Sequence, residues 1–516
     1  MSGFHSTVSR REFMKALGLT GAGLGAAAAL APAIHDVDEL MSAPTSLKNY
    51  PWYVKEREHL DTTTETDWDL LKRWDNRFNA QSTYAKSHYP SNAGTADRAA
   101  SGTARRNERY AQNLPGYDHK WRALNAAKSD SSEAPSYGFA GFTDHEEAGS
   151  SNEDLGLPKW NGSPEENSRL LMAAMRFFGA SIVGFDEFDT KYQTKLARLC
   201  TSSGNNAVYP ALPDPARAQW YEFANTPDGR AYETKDAGGT HMISPATGTY
   251  FISWATSQTP ELRGTNGILA NGNNPTISKW HENIKVRLAR FLNALGGFQV
   301  YGLTGDQSFV VSSELGIVLT GGGEVSRQQL YSNDIDLGPN HNSANMMTNF
   351  PLAPTNPIDA GMWKFCLSCG ICADQCPSNS ISTAKEPTWE IPPIEGLPNV
   401  TKVPGAKMLW TDMIGCRNYT SQFDGCAPKL VRPNDYGGGR SCFSVCPFGG
   451  DRMAMGHNVI RTAMATTTLL NGFMASMADV FGTGQTALRP DEWWDMGLPA
   501  FGFPTHIQAT KGQWKM

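Results

Sequence analysis

Apolar residues recur at helical spacing in two places in the middle of the chain. Pro164-Glu165-Glu166 opens one stretch, which carries Leu170, Leu171, Ala174 and Phe177 on to Gly179 as its stop. The other runs from about Ser278 to Ala294, with Ile284, Leu288, Phe291 and Leu295 at helical spacing before Gly296-Gly297. Strand-like runs, Tyr250-Phe251-Ile252-Ser253-Trp254 and Ile317-Val318-Leu319-Thr320, alternate with these helices. The pattern predicts a mixed α/β core over residues 161–350. Residues 34–160 are polar and loop-rich, with room for short helices such as Asp67 to Trp74. Over residues 351–450 periodicity fades while cysteine, proline and glycine become frequent, as in a small domain folded around metal. Residues 451–516 turn apolar and helix-prone again, most clearly from Thr466 to Met477, and lead through Asp491-Glu492-Trp493-Trp494 to an aromatic end.

Residues 1–33 stand apart from this pattern. Ser9-Arg10-Arg11-Glu12-Phe13-Met14-Lys15 matches a twin-arginine export motif, an apolar stretch runs from Ala16 to Leu30, and Ala31-Pro32-Ala33 suits cleavage. The twin-arginine route carries folded proteins, so export is compatible with cofactors inserted in the cytoplasm. No later stretch reaches the ~18 consecutive apolar residues of a membrane span. The longest candidate, Met464 to Phe481, is broken by Thr, Asn, Ser and Asp.

Composition narrows the class. Hydrophobic residues make up 40% of the 516 and charged residues 19%, the balance of a globular protein. A net charge of −6 argues against a nucleic-acid binder, which would ordinarily be basic. Aromatic residues (14 Trp, 16 Tyr, 23 Phe) supply enough burial to argue against disorder.

Eight of the nine cysteines lie between Cys366 and Cys446. Cys366-x2-Cys369-x2-Cys372-x3-Cys376-Pro377 has the bacterial ferredoxin spacing, in which three thiolates of one loop reach three corners of a cubane and the fourth serves a second cluster. The second group ends in the regular Cys442-x3-Cys446-Pro447, but Gly439 stands where a further cysteine belongs. Cys416 and Cys426 lie upstream instead. Two cubanes need eight thiolates, and the region holds eight. The spacing therefore assigns Cys366, Cys369, Cys372 and Cys446 to one 4Fe–4S cluster and Cys376, Cys416, Cys426 and Cys442 to the other. Ala427 to Ser441 would bulge out between two ligands. Lone Cys200 reads as a small buried hydrophobe.

Clusters only move electrons, so another centre must use them. No P-loop lysine, G-x-S-x-G or His-rich metal motif is present, and Gly321-Gly322-Gly323 reads as a plain turn. A bound organic cofactor is the natural proposal. The leader, the α/β middle and the irregular ferredoxin pair together resemble the corrinoid-dependent reductive dehalogenases. Supporting matches include Phe177-Phe178-Gly179-Ala180-x2-Val183-Gly184, Pro351-Leu352-Ala353-Pro354-x2-Pro357-Ile358-Asp359-x-Gly361, Pro51-Trp52-Tyr53-Val54, Asp67-Trp68-Asp69 and the Trp493-Trp494 tail.

The resemblance implies an α/β (α+β) fold: a nitroreductase-like corrinoid-binding core with an inserted ferredoxin-like domain carrying two 4Fe–4S clusters. It implies a cobalamin-type corrinoid with its lower base detached, reduced through the clusters, and a small apolar organohalide that gains hydrogen and loses halide. It also implies work at the outer face of the cytoplasmic membrane, with a small integral-membrane anchor protein and a membrane respiratory electron donor as partners, and no nucleic acid. The family's proton-donating Tyr falls at Ser278 here, and its assisting Arg at Asn345. Tyr301 is the expected replacement donor, with His281 close behind. Arg327, in a segment like the family's G-E-x-G-R, is expected to be structural or to contact the cofactor. An exported iron–sulfur carrier subunit, or an epoxyqueuosine-reductase-like enzyme, are the alternatives.

Overall fold

The computed structural model describes residues 48, 50–92, 95–127, 154–201, 207–258, 275–302, 310–423, 426, 442–443, 445–449, 455–480 and 494–495. The leader (residues 1–33), the insertion Ala427 to Ser441 and Trp493 lie outside them. Nine strands are present among the described residues: β1 (Lys55–Glu56), β2 (Ile182–Glu187), β3 (Gln219–Ala224), β4 (Tyr232–Asp236), β5 (Gly239–Pro245), β6 (Tyr250–Ser257), β7 (Val300–Tyr301), β8 (His341–Thr348) and β9 (Ile358–Asp359). The helices are α1 (Thr83–His88), α2 (Thr95–Ala111), α3 (His119–Ala127), α4 (Pro164–Phe177), α5 (Pro275–Gly296), α6 (Ser313–Leu319), α7 (Met362–Cys369), α8 (Ile371–Asp374), α9 (Met413–Phe423), α10 (Met455–Thr466) and α11 (Asn471–Val480). The architecture is mixed α/β.

A four-stranded antiparallel sheet in the order β2-β6-β8-β7 forms the centre. Side chains alternate along each strand. One face therefore carries Ile182, Gly184 and Asp186, then Phe251, Ser253, Ala255 and Ser257, then His341, Ser343, Asn345 and Met347. Short helix α6 lies on this face, where Ile317 joins Ile182, Ala255 and Leu337 in one cluster. Helix α5 covers the other face, placing His281 against Trp254 and Thr256.

Local chemistry explains the helices that the periodicity predicts. Ser163 and Glu166 form a capping box ahead of Pro164, and α4 stops where Gly179 turns to φ 106°. Helix α5 likewise ends at Gly296 and Gly297, both with positive φ. Strand β6 extends the expected Tyr250–Trp254 run to Ser257.

Three expectations need correcting. Ile317 to Thr320 is not a strand: residues 313–319 form α6, buried from Gly316 to Leu319. A run of four apolar residues cannot distinguish a strand from a short helix sunk in the core. Asp67 to Trp74 makes only one turn, closed by Asp67 accepting the N–H groups of Asp69 and Leu70. The Thr466 to Met477 helix is broken into α10 and α11, since Thr466 at the end of α10 donates its hydroxyl back to Thr462 and Ala463 and a β-branched run follows.

Helix α6 sits close to the sheet because Gly184 has no side chain. A Cβ there would fall on the side chain and carbonyl of Thr320. Gly184→Ala is accordingly expected to destabilise the fold by about 2 kcal/mol, as overpacking does. Thermal unfolding followed by circular dichroism should show a midpoint lowered by a few degrees.

Candidate functional site

The cysteine helix α7 is held at both ends by one hairpin. Gly323 to Asn333 doubles back on itself, with Glu324 and Asn333 exchanging backbone hydrogen bonds of 2.9 and 2.8 Å. Gly323 permits this, because a Cβ would meet the Asn333 carbonyl. Glu324 Oε2 accepts the N–H groups of Ala360 (3.1 Å) and Met362 (2.8 Å), satisfying backbone donors at the start of α7. Burial, helped by Asp359, pushes its carboxyl up to about 7. Arg327 takes the other end. Its Nε and Nη2 donate to the Cys366 carbonyl at 2.9 and 2.6 Å, and Nη2 also reaches Leu367 at 3.1 Å. Nη1 donates to Ser382 at 2.6 Å and Ala384 at 2.8 Å. One guanidinium, 1% exposed, thus ties the first cysteine loop to the segment that follows it.

The same hairpin touches both groups of cysteines. Asn333 contacts the sulfurs of Cys366 (3.5 Å) and Cys446 (3.9 Å), while Gln328 lies 3.9 Å from that of Cys442. The thiols sort by mutual influence. Burial pushes the Cys372 thiol well up, and Cys366, Cys446 and Cys369 push it further. Burial does the same to Cys442, with Cys426, Cys372, Cys416 and Cys376 adding to it. Cys426 responds to Cys416 and Cys376. Cys372 thus adjoins Cys366, Cys369 and Cys446, while Cys442 adjoins Cys372 as well as Cys426, Cys416 and Cys376, so the two runs of cysteines meet there. Among the described residues no three such side chains converge on a single ion position. A cubane takes one thiolate at each of four separate irons, so its ligands need not converge. Buried, mutually repelling thiolates are the donors that a cationic iron–sulfur core would stabilise. Cys200 lies elsewhere, buried and donating to Asp75 Oδ1 at 3.3 Å.

A second polar concentration lies at the end of the sheet where β6 finishes and β8 begins. Thr256, Ser257, Gln258, His281, Lys285, Ser332, Asn340, His341 and Ser343 are all buried there. His281 Nδ1 and Asn340 Oδ1 have no hydrogen-bond partner in the protein. Burial lowers His281 to about 3, with Lys285 and His341 adding to the effect, so it is neutral. Glu314 enters from α6, on the face of the sheet opposite α5 and His281, accepting from Ser343 Oγ at 2.6 Å and from the Ser332 N–H at 3.0 Å. Asn340 Nδ2 donates to Gly449 at 3.0 Å, linking this patch to the chain just past Cys446.

Tyr301 lies away from the patch. It pairs with Met347, four residues from Ser343, or roughly 13 Å along an extended strand. It is fully buried among Leu60, Phe188, Tyr192 and Phe251, and its hydroxyl donates to the Gly229 carbonyl at 3.3 Å. Burial raises its pKa, so it holds its proton more tightly than a free tyrosine. Nothing in this geometry points the hydroxyl at the polar patch. Asn345, at the expected position of the assisting Arg, bonds both backbone groups of Val311 and so fixes the approach to α6. Ser278 lies on α5, but its side chain is outside the described residues.

Sequence reasoning singled out Arg327, which the structure places against Cys366, and the cysteines, which it brings together; it did not single out Glu324, Asn333 or Glu314. Glu324 alone had a signal, since it precedes Arg327 in the quoted segment. Arg327→Met is expected to leave four buried carbonyl groups without their donor, costing roughly 3 kcal/mol or more. Anaerobically purified variant should retain less than half of the wild-type iron, and Arg327→Lys should recover only part, because an ammonium cannot bridge both segments.

Comparison with known proteins agrees with this arrangement. Residues 49–352 match the family model described as reductive dehalogenase subunit. The chain is 29% identical to the chloroethene reductive dehalogenase of Dehalococcoides mccartyi strain VS, with 98% of this chain and 99% of that one covered. It is also 29% identical to the trichloroethene reductive dehalogenase of Dehalococcoides mccartyi strain 195, with the same coverage. Among solved structures, a catabolic reductive dehalogenase (NpRdhA) aligns over 87% of this chain with a TM-score of 0.48 and 16% identity. The chain spans about half of that protein, 52%. With more than half of its length matching the family model, the chain belongs to the reductive dehalogenase family.

Proposed function

We propose that this protein reduces the carbon–halogen bond of a small apolar organohalide to carbon–hydrogen, releasing halide. Two electrons reach a base-off corrinoid through two 4Fe–4S clusters. The observation that carries this reading is the close gathering of buried cysteines, with Cys366, Cys442 and Cys446 against one hairpin, in a reductive dehalogenase chain. Cys366, Cys369, Cys372 and Cys446 hold one cluster, and Cys376, Cys416, Cys426 and Cys442 the other. Residues 351–450 form the cluster domain, while residues 161–350 and 451–516 supply a nitroreductase-like corrinoid-binding core.

The buried polar patch fits a corrinoid. Its rim of carboxamides requires donors and acceptors inside the protein, and His281 Nδ1 and Asn340 Oδ1 are such atoms without protein partners. A corrinoid supplies a low-potential cobalt able to deliver electrons to a carbon–halogen bond. The chain's own part is to exclude water, orient the substrate and hold one proton. The two full-length relatives are named for chloroethene and trichloroethene, which favours a chlorinated alkene as substrate here. The twin-arginine leader supports export to the outer face of the cytoplasmic membrane, where a small integral-membrane protein would anchor the enzyme near its respiratory electron donor.

Anaerobically purified protein is expected to hold about eight iron and eight sulfide per chain. After incubation with cobalamin it should hold about one cobalt and release chloride from trichloroethene, faster than from chlorobenzene, given a chemical reductant. Cys416→Ala should lose about half of the iron. Full iron content with no cobalt uptake and no chloride release would instead mark the chain as an electron carrier.

A further inference from the structure

Glu314 is the one carboxyl among the described residues that enters the buried polar patch. It sits in the first turn of α6, between the central sheet and the hairpin that grips the cysteines. Its Oε1 accepts from Ser343 Oγ at 2.6 Å, and its Oε2 from the Ser332 N–H at 3.0 Å and the Ser332 hydroxyl at 3.4 Å. Ser332 continues the network, because its hydroxyl lies 3.3 Å from His341 Nε2 and its carbonyl 3.0 Å from the same nitrogen. The next residue, Asn333, contacts Cys366 and Cys446. Two residues, Ser332 and Asn333, therefore separate the carboxyl from the sulfurs of Cys366 and Cys446.

From this geometry we infer that Glu314 is the proton reservoir of the reaction, acting through the Ser343 hydroxyl. The inference rests on the proposed reductive dehalogenation, which consumes two electrons and one proton for each halide released. The O–H bond of the Glu314 carboxyl breaks as its proton moves to Ser343 Oγ, while the Ser343 hydroxyl, rotated away from Oε1, gives its own proton to the carbon from which halide departs. A new C–H bond forms there, and the carboxylate left behind regains a proton from water. The two electrons come from the reductant of the established family reaction. Glu314 acts through another side chain and is thus a positioning residue for the proton.

Its protonation supports the role. Burial pushes the carboxyl up to about 7, against the opposing hydrogen bonds from Ser343 and Ser332. The titratable groups around it are His341 on β8 and Tyr331 on the hairpin, with His281 and Lys285 beyond His341 on α5. A neutral acid at the working pH is what a proton store requires. Tyr301, with its proton held more tightly and its hydroxyl committed to Gly229, is less suited.

Two readouts test the inference. In Glu314→Gln, dehalogenation by cofactor-loaded protein should fall roughly 100-fold, as for the loss of a general acid, with iron and cobalt content unchanged. Wild-type activity should decline as pH rises through about 7, because only the protonated carboxyl can deliver, and the variant should lose that decline. Glu314→Asp, which keeps a carboxyl, should restore part of the rate and the pH dependence. Independently of cofactor or substrate, infrared difference spectra between wild type and Glu314→Gln should show one protonated-carboxyl stretch that disappears as pH rises through about 7. Absence of that band, or a variant with wild-type rate and pH profile, overturns the inference. A fully loaded wild type that releases no halide from any organohalide would sink the proposed function instead, while the infrared band would still report on Glu314.

Discussion

A single guanidinium organises the cysteine region. Arg327 is buried where no water can replace its bonds, and its N–H groups are spread over carbonyls of two separate segments, Cys366-Leu367 and Ser382 to Ala384. Thr411 donates to the Arg327 carbonyl, and the adjacent Gln329 bonds Leu409, Lys402 and Thr411. Residues 402–411 are thereby drawn to the same point. A charge buried this deeply is tolerable only because its donors are satisfied, so the geometry around it is over-determined. The first cysteine run lies on two short helices, α7 and α8, and this contact holds α7 against the segment that follows.

The hairpin that carries Arg327 also joins the cysteine-bearing segments to the sheet. Glu324 sets the start of α7, Asn333 and Gln328 stand against the sulfurs, and Ser332 turns back toward Glu314 and His341. Placing buried polar groups on one end of a sheet costs stability unless something answers them. His281 Nδ1 and Asn340 Oδ1 are left unanswered among the described residues, so the fold gives up some of its own stability there. The dry cluster around Tyr301, at the far end of β8, has no such deficit.

Much of this was legible in the chain. The capping box at Ser163, the glycine stops at Gly179 and Gly296, and the alternating run at Tyr250 are local signals, and each element formed where its signal lay. The cysteine spacing is local too, and the cysteines it singles out lie buried near one another. What could not be read were features made by long-range contact. Residues 317–319 look like a strand until one knows that α6 is enclosed on the sheet, and Glu314 looks like a solvated helix start until Ser343, 29 residues on, is seen against it. Tyr301 was chosen for its residue type at a strand end. Its partner Gly229 lies 72 residues away on a loop of the small sheet, and no periodicity announces that.

Asn333 stands against the sulfurs of both Cys366 and Cys446, two residues that 79 others separate along the chain. During synthesis the hairpin and the first cysteine run emerge long before the second. The surroundings of Asn333 are therefore complete only after residue 446 has been made, and a chain cut short of it would leave this buried amide with one of its two sulfur neighbours missing.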